Sequence, residues 1–207
     1  TPDGERTMIS YLGVSIPIEQ AEVDQSLLSN HRILFSDAYI WDKGPTSDML
    51  RKTYAAARQK NITTSFGLGN AKVVRMHRED LLDFLKGVDV VFGNLSEYQA
   101  LYDVESIESV IQRLQRIATI AIMTNAEHGA LIITPHAVLH APAKEVSKVI
   151  DTTGAGDMFA AGFLYGMTHG YDLEQCGKIA SEMAGNIITK VGARPTHPMF
   201  EVLNIIS

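Results

Sequence analysis

The 207 residues are 45% apolar and 20% charged, a balance that suits a folded globular chain long enough to bury a core. The formal charge of −6 excludes a nucleic-acid surface, because a phosphate backbone selects for excess Lys and Arg. A single cysteine, Cys176, rules out an intrachain disulfide and a thiolate zinc site; with no signal peptide or bilayer-length apolar run in view, the expected setting is the cytoplasm.

In chain order, Thr7–Val14 is rich in β-formers and predicts a strand, and Glu19–Asn30 predicts a short helix. Arg32–Ser36 is an apolar run of the kind found in buried parallel strands. Pro45-Thr46-Ser47-Asp48 opens a helix that Met49–Lys60 continues with strong helix formers. A strand over Ile62–Phe66, a helix over Arg78–Lys86 and a third buried strand over Val88–Phe92 follow. Ile107, Val110, Ile111 and Leu114 fall at helical spacing within Ser106–Arg116, and Thr119–Met123 is a fourth strand. Ala130–Val138 predicts a hairpin turning at Pro135-His136, and three helices are expected to open near Gly154, Asp172 and Pro195. Strands alternating with helices predict one α/β domain over 1–207, built on a largely parallel sheet. Ligands in such sheets sit outside the carboxyl ends of the strands, so the residues that follow each strand are the ones to read for chemistry.

Asp151-Thr152-Thr153-Gly154-Ala155-Gly156-Asp157 carries the strongest signal. Two glycines flanking Ala155 let the backbone turn tightly and expose N–H groups, and the helix beginning there adds its positive end, which makes an anion hole of Gly154, Ala155 and Gly156. An acid at that helix start would repel a bound phosphate. It makes sense if Asp157 instead faces an acceptor hydroxyl and takes its proton. The competing view is a simple turn in which Asp157 caps the helix. Asn94-Leu95-Ser96-Glu97 follows the third strand and reads either as a ligand-side motif or as a capping box. Thr124-Asn125-Ala126-Glu127-His128-Gly129 follows the fourth strand and reads either as a nucleotide loop or as a polar turn. Gly192-Ala193-Arg194-Pro195 serves equally as a helix end followed by a helix start. His136 and His140 lie in the expected hairpin with no third ligand nearby and are read as structural.

The string from Asp151 through Gly162 and Phe163 resembles the second signature of the ribokinase/PfkB carbohydrate kinases, and the resemblance runs over essentially the whole chain. It implies a ribokinase-like α/β fold and ATP-dependent phosphoryl transfer to a hydroxyl of a sugar or nucleoside, with Asp157 as catalytic base. Asn94 and Glu97 match the family's N-x-x-E, whose Glu acts on Mg²⁺ and the phosphates through water. Thr124, Glu127 and Gly129 fall in the family's T-x-G-x-x-G nucleotide loop, although Ala126 stands where the middle Gly is usual. Asp151, Thr153 and Gly192 match positions that bind a monovalent cation such as K⁺ in related kinases. Gly4 to Gly13 and Tyr39-Ile40-Trp41-Asp42 resemble adenosine-kinase-like members. The implied partners are a small sugar or nucleoside, no nucleic acid and no membrane, with a homodimer as an option. The family's opening Asp, Gly-Gly pair and lid strands have no match in 1–207, so an amino-terminally incomplete domain is expected, with impaired catalysis or a non-catalytic nucleotide-binding or structural module as the alternative. A dinucleotide-dependent reductase is a poor reading, because Gly154-Ala155-Gly156-Asp157 lacks the third Gly and an acidic partner after a following strand.

Overall fold

The computed structural model describes residues 25–41, 46–117 and 120–196. The expected strand at Thr7–Val14, the Gly4–Gly13 stretch, Asp42 and the helix expected beyond Pro195 lie outside these residues or run out of them. Six strands form one sheet in the order β1 (Ile33–Asp37), β2 (Thr63–Gly67), β3 (Val90–Asn94), β4 (Ile120–Thr124), β5 (Ala130–Ile133) and β6 (Val138–Ala141). β1 pairs with β2 and β2 with β3 in parallel, with Ile33 opposite Thr63 and Gly67 opposite Phe92. The sheet is mostly parallel and flanked by helices, the fold class expected from the alternating pattern. Among the described residues no helix is long and apolar enough to cross a membrane.

The described residues fall into two compact units, one holding those of 25–123 and 133–138, the other those of 124–132 and 139–196. In the first, α1 (Thr46–Gln59) buries Leu50, Tyr54 and Ala57. Tyr54, Phe66, Phe84 and Trp41 make an aromatic cluster of edge-to-face pairs and one tilted pair, with centroids 4.7–6.4 Å apart. Trp41 is packing, not surface: its ring N–H donates to Asp80 at 2.8 Å, and the Arg51 guanidinium lies 5.8 Å from its centroid. Two short helices, α2 (Ala71–Met76) and α3 (Arg78–Leu85), lead to β3. The Asp89 carboxylate accepts from both the amide and the hydroxyl of Thr64, a local lock between the starts of β2 and β3. α4 (Leu95–Tyr102) and α5 (Ile107–Leu114) follow, the latter capped by Ser106.

In the second unit, α6 (Ala155–Thr168) and α7 (Leu173–Ile187) pack closely. A Cβ placed on Gly162 would lie 2.8 Å from the Ala180 Cα, and one on Gly166 would lie 2.7 Å from the Cys176 Sγ. That pairing runs antiparallel, and these small residues let the two backbones approach. Asp172 and Gln175 cap α7 reciprocally.

Candidate active site

The Asp151–Asp157 turn is assembled around one carboxylate. Asp151 Oδ1 accepts from the Thr153 amide at 2.9 Å and the Thr153 hydroxyl at 2.6 Å, and its Oδ2 accepts from the Gly192 amide at 2.9 Å. Asp151, Thr153 and Gly192, 41 residues apart at the extremes, are thereby brought together. Gly154 follows with φ +81°, a left-handed conformation, and a Cβ there would sit 2.8 Å from the Ala193 Cβ, so both backbone and space demand glycine.

α6 starts at once. The Ala155 amide donates to the Thr152 carbonyl at 3.2 Å and the Met158 amide to the Gly154 carbonyl at 2.9 Å. Between them, the amides of Gly156 and Asp157 meet no acceptor among the described residues. Of the three anion-hole positions expected, Ala155 therefore has its N–H engaged within the turn, while the amide after Gly156 joins the available set. A Cβ on Gly156 would meet nothing within 4 Å, so packing does not explain that glycine. The Asp157 side chain is exposed on the first turn of α6. Two open amides at the positive end of a 14-residue helix, beside a solvent-facing carboxylate, suit an anion together with a group that must lose a proton.

The Thr124–Gly129 loop belongs to the same unit. The Asn125 amide donates to the Gly129 carbonyl at 2.7 Å, and a 3₁₀ turn spans Ala126–His128. Gly129 takes φ +78°, and a Cβ there would fall 2.2 Å from the Ala141 carbonyl oxygen. Ala126 also has positive φ, +47°, so the residue that departs from the glycine pattern still adopts the backbone that pattern favours. Thr124 is half-buried, and Glu127 is exposed with its carboxylate 3.7 Å from His128 Nε2. His140 Nε2 pairs with the His128 carbonyl at 2.9 Å, in keeping with a structural role.

In the other unit, Asn94 and Glu97 form a complete capping box on α4. The Asn94 side chain accepts from the Glu97 amide, and the Glu97 carboxylate accepts from the Asn94 amide at 2.9 Å and from Asn94 Nδ2 at 3.0 Å. Glu97 is only 6% exposed; burial pushes its carboxyl above the ordinary carboxylate range, with the Asn94 amide bond acting in the opposite sense. Among the described residues no three His, Cys, Asp or Glu side chains gather as a metal site, so a cation there would be held largely by water and substrate oxygens, as Mg²⁺ tolerates.

The Tyr39-Ile40-Trp41 stretch that resembles adenosine-kinase-like members lies at the carboxyl end of β1. Tyr39 is 51% exposed, its hydroxyl donates to the Gly69 carbonyl at 2.9 Å, and its ring lies against Gly69.

Residues 1–199 match the model of the pfkB family carbohydrate kinases. A nucleoside kinase of Methanocaldococcus jannaschii is 32% identical over 124 residues, covering 60% of this chain and 40% of that protein. The crystal structure of adenosine kinase from Sinorhizobium meliloti is 29% identical with a TM-score of 0.86, covering 89% of this chain and 57% of that one. A protein described as a probable sugar kinase from Rhizobium etli is 32% identical with a TM-score of 0.85, covering 88% and 56%. The chain thus spans roughly half the length of these relatives. A signature turn of this geometry and a family match over nearly every residue lead to one conclusion: the chain belongs to the pfkB family of carbohydrate kinases.

Proposed function

We infer that the full gene product transfers the γ-phosphoryl group of ATP to a hydroxyl of a sugar or nucleoside. The observation that carries this reading is the pair of amides at Gly156 and Asp157 that meet no acceptor among the described residues, next to the exposed Asp157 carboxylate. In the proposed mechanism the Asp157 carboxylate accepts the proton of the acceptor hydroxyl as its oxygen attacks, and the two amides donate to oxygens of the migrating phosphoryl, where charge must be stabilised. Gly154 sets the turn that aims these amides, and the Asp151 carboxylate ties it to Gly192. Bound Mg²⁺ would neutralise phosphate charge, with Glu97 and Asn94 orienting its water shell. Thr124, Glu127 and Gly129 would line the nucleotide, and Asp151, Thr153 and Gly192 with neighbouring carbonyls would hold a monovalent cation such as K⁺.

The test is transfer of labelled γ-phosphate by the full gene product to a panel of sugars and nucleosides with Mg²⁺ present. Stoichiometric appearance of ADP and one phosphorylated acceptor is expected. ADP release without any labelled acceptor across the panel contradicts the reading.

A further inference from the structure

The Gly154–Asp157 turn is reached through residues 142–152, which join β6 to it and belong to no helix or strand. Ordering so long an irregular stretch costs conformational entropy, so whatever holds it governs how precisely the turn is aimed. The stretch is laid along α7. A Cβ on Gly177 would lie 2.8 Å from the Ala141 Cβ, so β6 ends against the second turn of that helix. Two turns further on the same face, a Cβ on Gly185 would lie 2.6 Å from the Lys144 Cβ and 2.7 Å from its Cδ. The lysine stem thus fills the notch that this glycine leaves. Its ammonium donates to the Glu182 carboxylate at 2.5 Å, with the two side chains 27% and 20% exposed. At the far end, the amides of Ile150 and Asp151 donate to the Ile188 carbonyl at 2.8 and 3.3 Å, using an acceptor at the end of the helix.

This arrangement raises a question of register. From Ala141 to Lys144 an extended chain spans about 10 Å, and from Gly177 to Gly185 a helix rises about 12 Å. The stretch therefore runs nearly straight beside α7, where a straight run can slip by one residue. Among the described residues the Lys144–Glu182 pair is the one hydrogen bond that 142–149 makes to α7. A slip would set Ala143 or Glu145 over Gly185. Ala143 offers Glu182 no charge, and Glu145 would bring two carboxylates together. Partly buried ion pairs add little net stability, and fixing register is their best-attested use.

We propose that Lys144 and Glu182 are positioning residues. Their ion pair sets the register of 142–151 on α7, and so holds the Gly156 and Asp157 amides and the Asp157 carboxylate in the arrangement that transfer needs. Neither side chain is given a contact with a reactant. The claim about turnover rests on the kinase reading, while the claim about the order of the turn stands without it.

Lys144→Met keeps the stem in the Gly185 notch and removes the charge; Glu182→Gln removes the opposite charge. Both variants and their combination are made in the full gene product. They are compared with wild type by steady-state transfer from ATP, hydrogen–deuterium exchange and thermal melting. Each single variant should lower kcat about 10- to 100-fold, the cost of misplacing a reacting group from a distance, with the KM for ATP within a few-fold. The double variant should be no slower than the slower single one, because both changes break one interaction. Exchange should quicken over 150–157 ahead of the rest of that unit. A kcat within about threefold of wild type in both single variants overturns the proposal. So do losses that multiply in the double variant, or unchanged exchange over 150–157. Exchange that quickens throughout the unit together with a lowered melting temperature also overturns it, since the pair would then be a general stability element. Failure of the kinase reading is distinct: wild type then transfers no phosphate, and exchange over 150–157 still decides the register claim.

Discussion

Ala126 holds φ +47° in a loop that resembles a motif with glycine at this place, and an L residue there has its Cβ crowding the following carbonyl. Such a conformation costs roughly 1–2 kcal/mol, of which glycine's greater freedom in the unfolded chain would return roughly 0.5–1. Ala126→Gly should therefore raise the melting temperature by about 1–4 °C, read by thermal denaturation. An unchanged or lower value would mean that the loop relaxes away from the left-handed region. Asp151 shows the other side of residue-scale reasoning. One carboxylate satisfies two amides and a hydroxyl, which holds the turn; the proposed monovalent-cation role would draw on the same group.

Glu97 makes the same division at the level of an element. It caps α4, and it stands where a Mg²⁺-organising acid is proposed. Gln at this position keeps an acceptor for the Asn94 amide, so Glu97→Gln should lie within about 1 kcal/mol of wild type at pH 7 while lowering phosphoryl transfer. The pH dependence has a definite sign. Burial raises the native carboxyl above its ordinary value of 4.5, so the native state holds the proton more tightly than the unfolded chain. Wild type should thus lose stability relative to Glu97→Gln as pH rises from below 4.5 through that higher native value, as measured by urea unfolding across this range; a gap that widens on acidification contradicts it.

Elements were legible in proportion to how strongly their residues are patterned. The strands β1 to β4 and the periodic α5 lie within two residues of expectation, because runs of β-forming or apolar residues and amphipathic helices leave strong local marks. α2 was not, since six residues capped by Asn70 are too few to show a period. α4 was visible only as one option for Asn94–Glu97, and the structure makes that capping box without excluding the other role. The Gly154–Asp157 turn was legible because a left-handed turn needs glycine at a set spacing. The engagement of the Ala155 amide was not, because it depends on where Thr152 places its carbonyl. Nor was the bond from the Tyr39 hydroxyl to the Gly69 carbonyl, thirty residues away in sequence.

Across the described residues, those with proposed roles at the reactants follow strand ends or open a helix: Asn94 at the end of β3, Thr124 at the end of β4, Asp157 at the start of α6. That is what a parallel sheet offers, since its strand ends and helix starts are where unpaired backbone groups can face a ligand. Because the chain spans roughly half of its relatives' length, activity belongs to a measurement on the full gene product. The most direct is the steady-state rate of Asp157→Asn, a substitution that leaves the amides of α6 in place. The account predicts that kcat falls about 10²- to 10⁴-fold while the KM for ATP stays within a few-fold. A kcat close to wild type would contradict it.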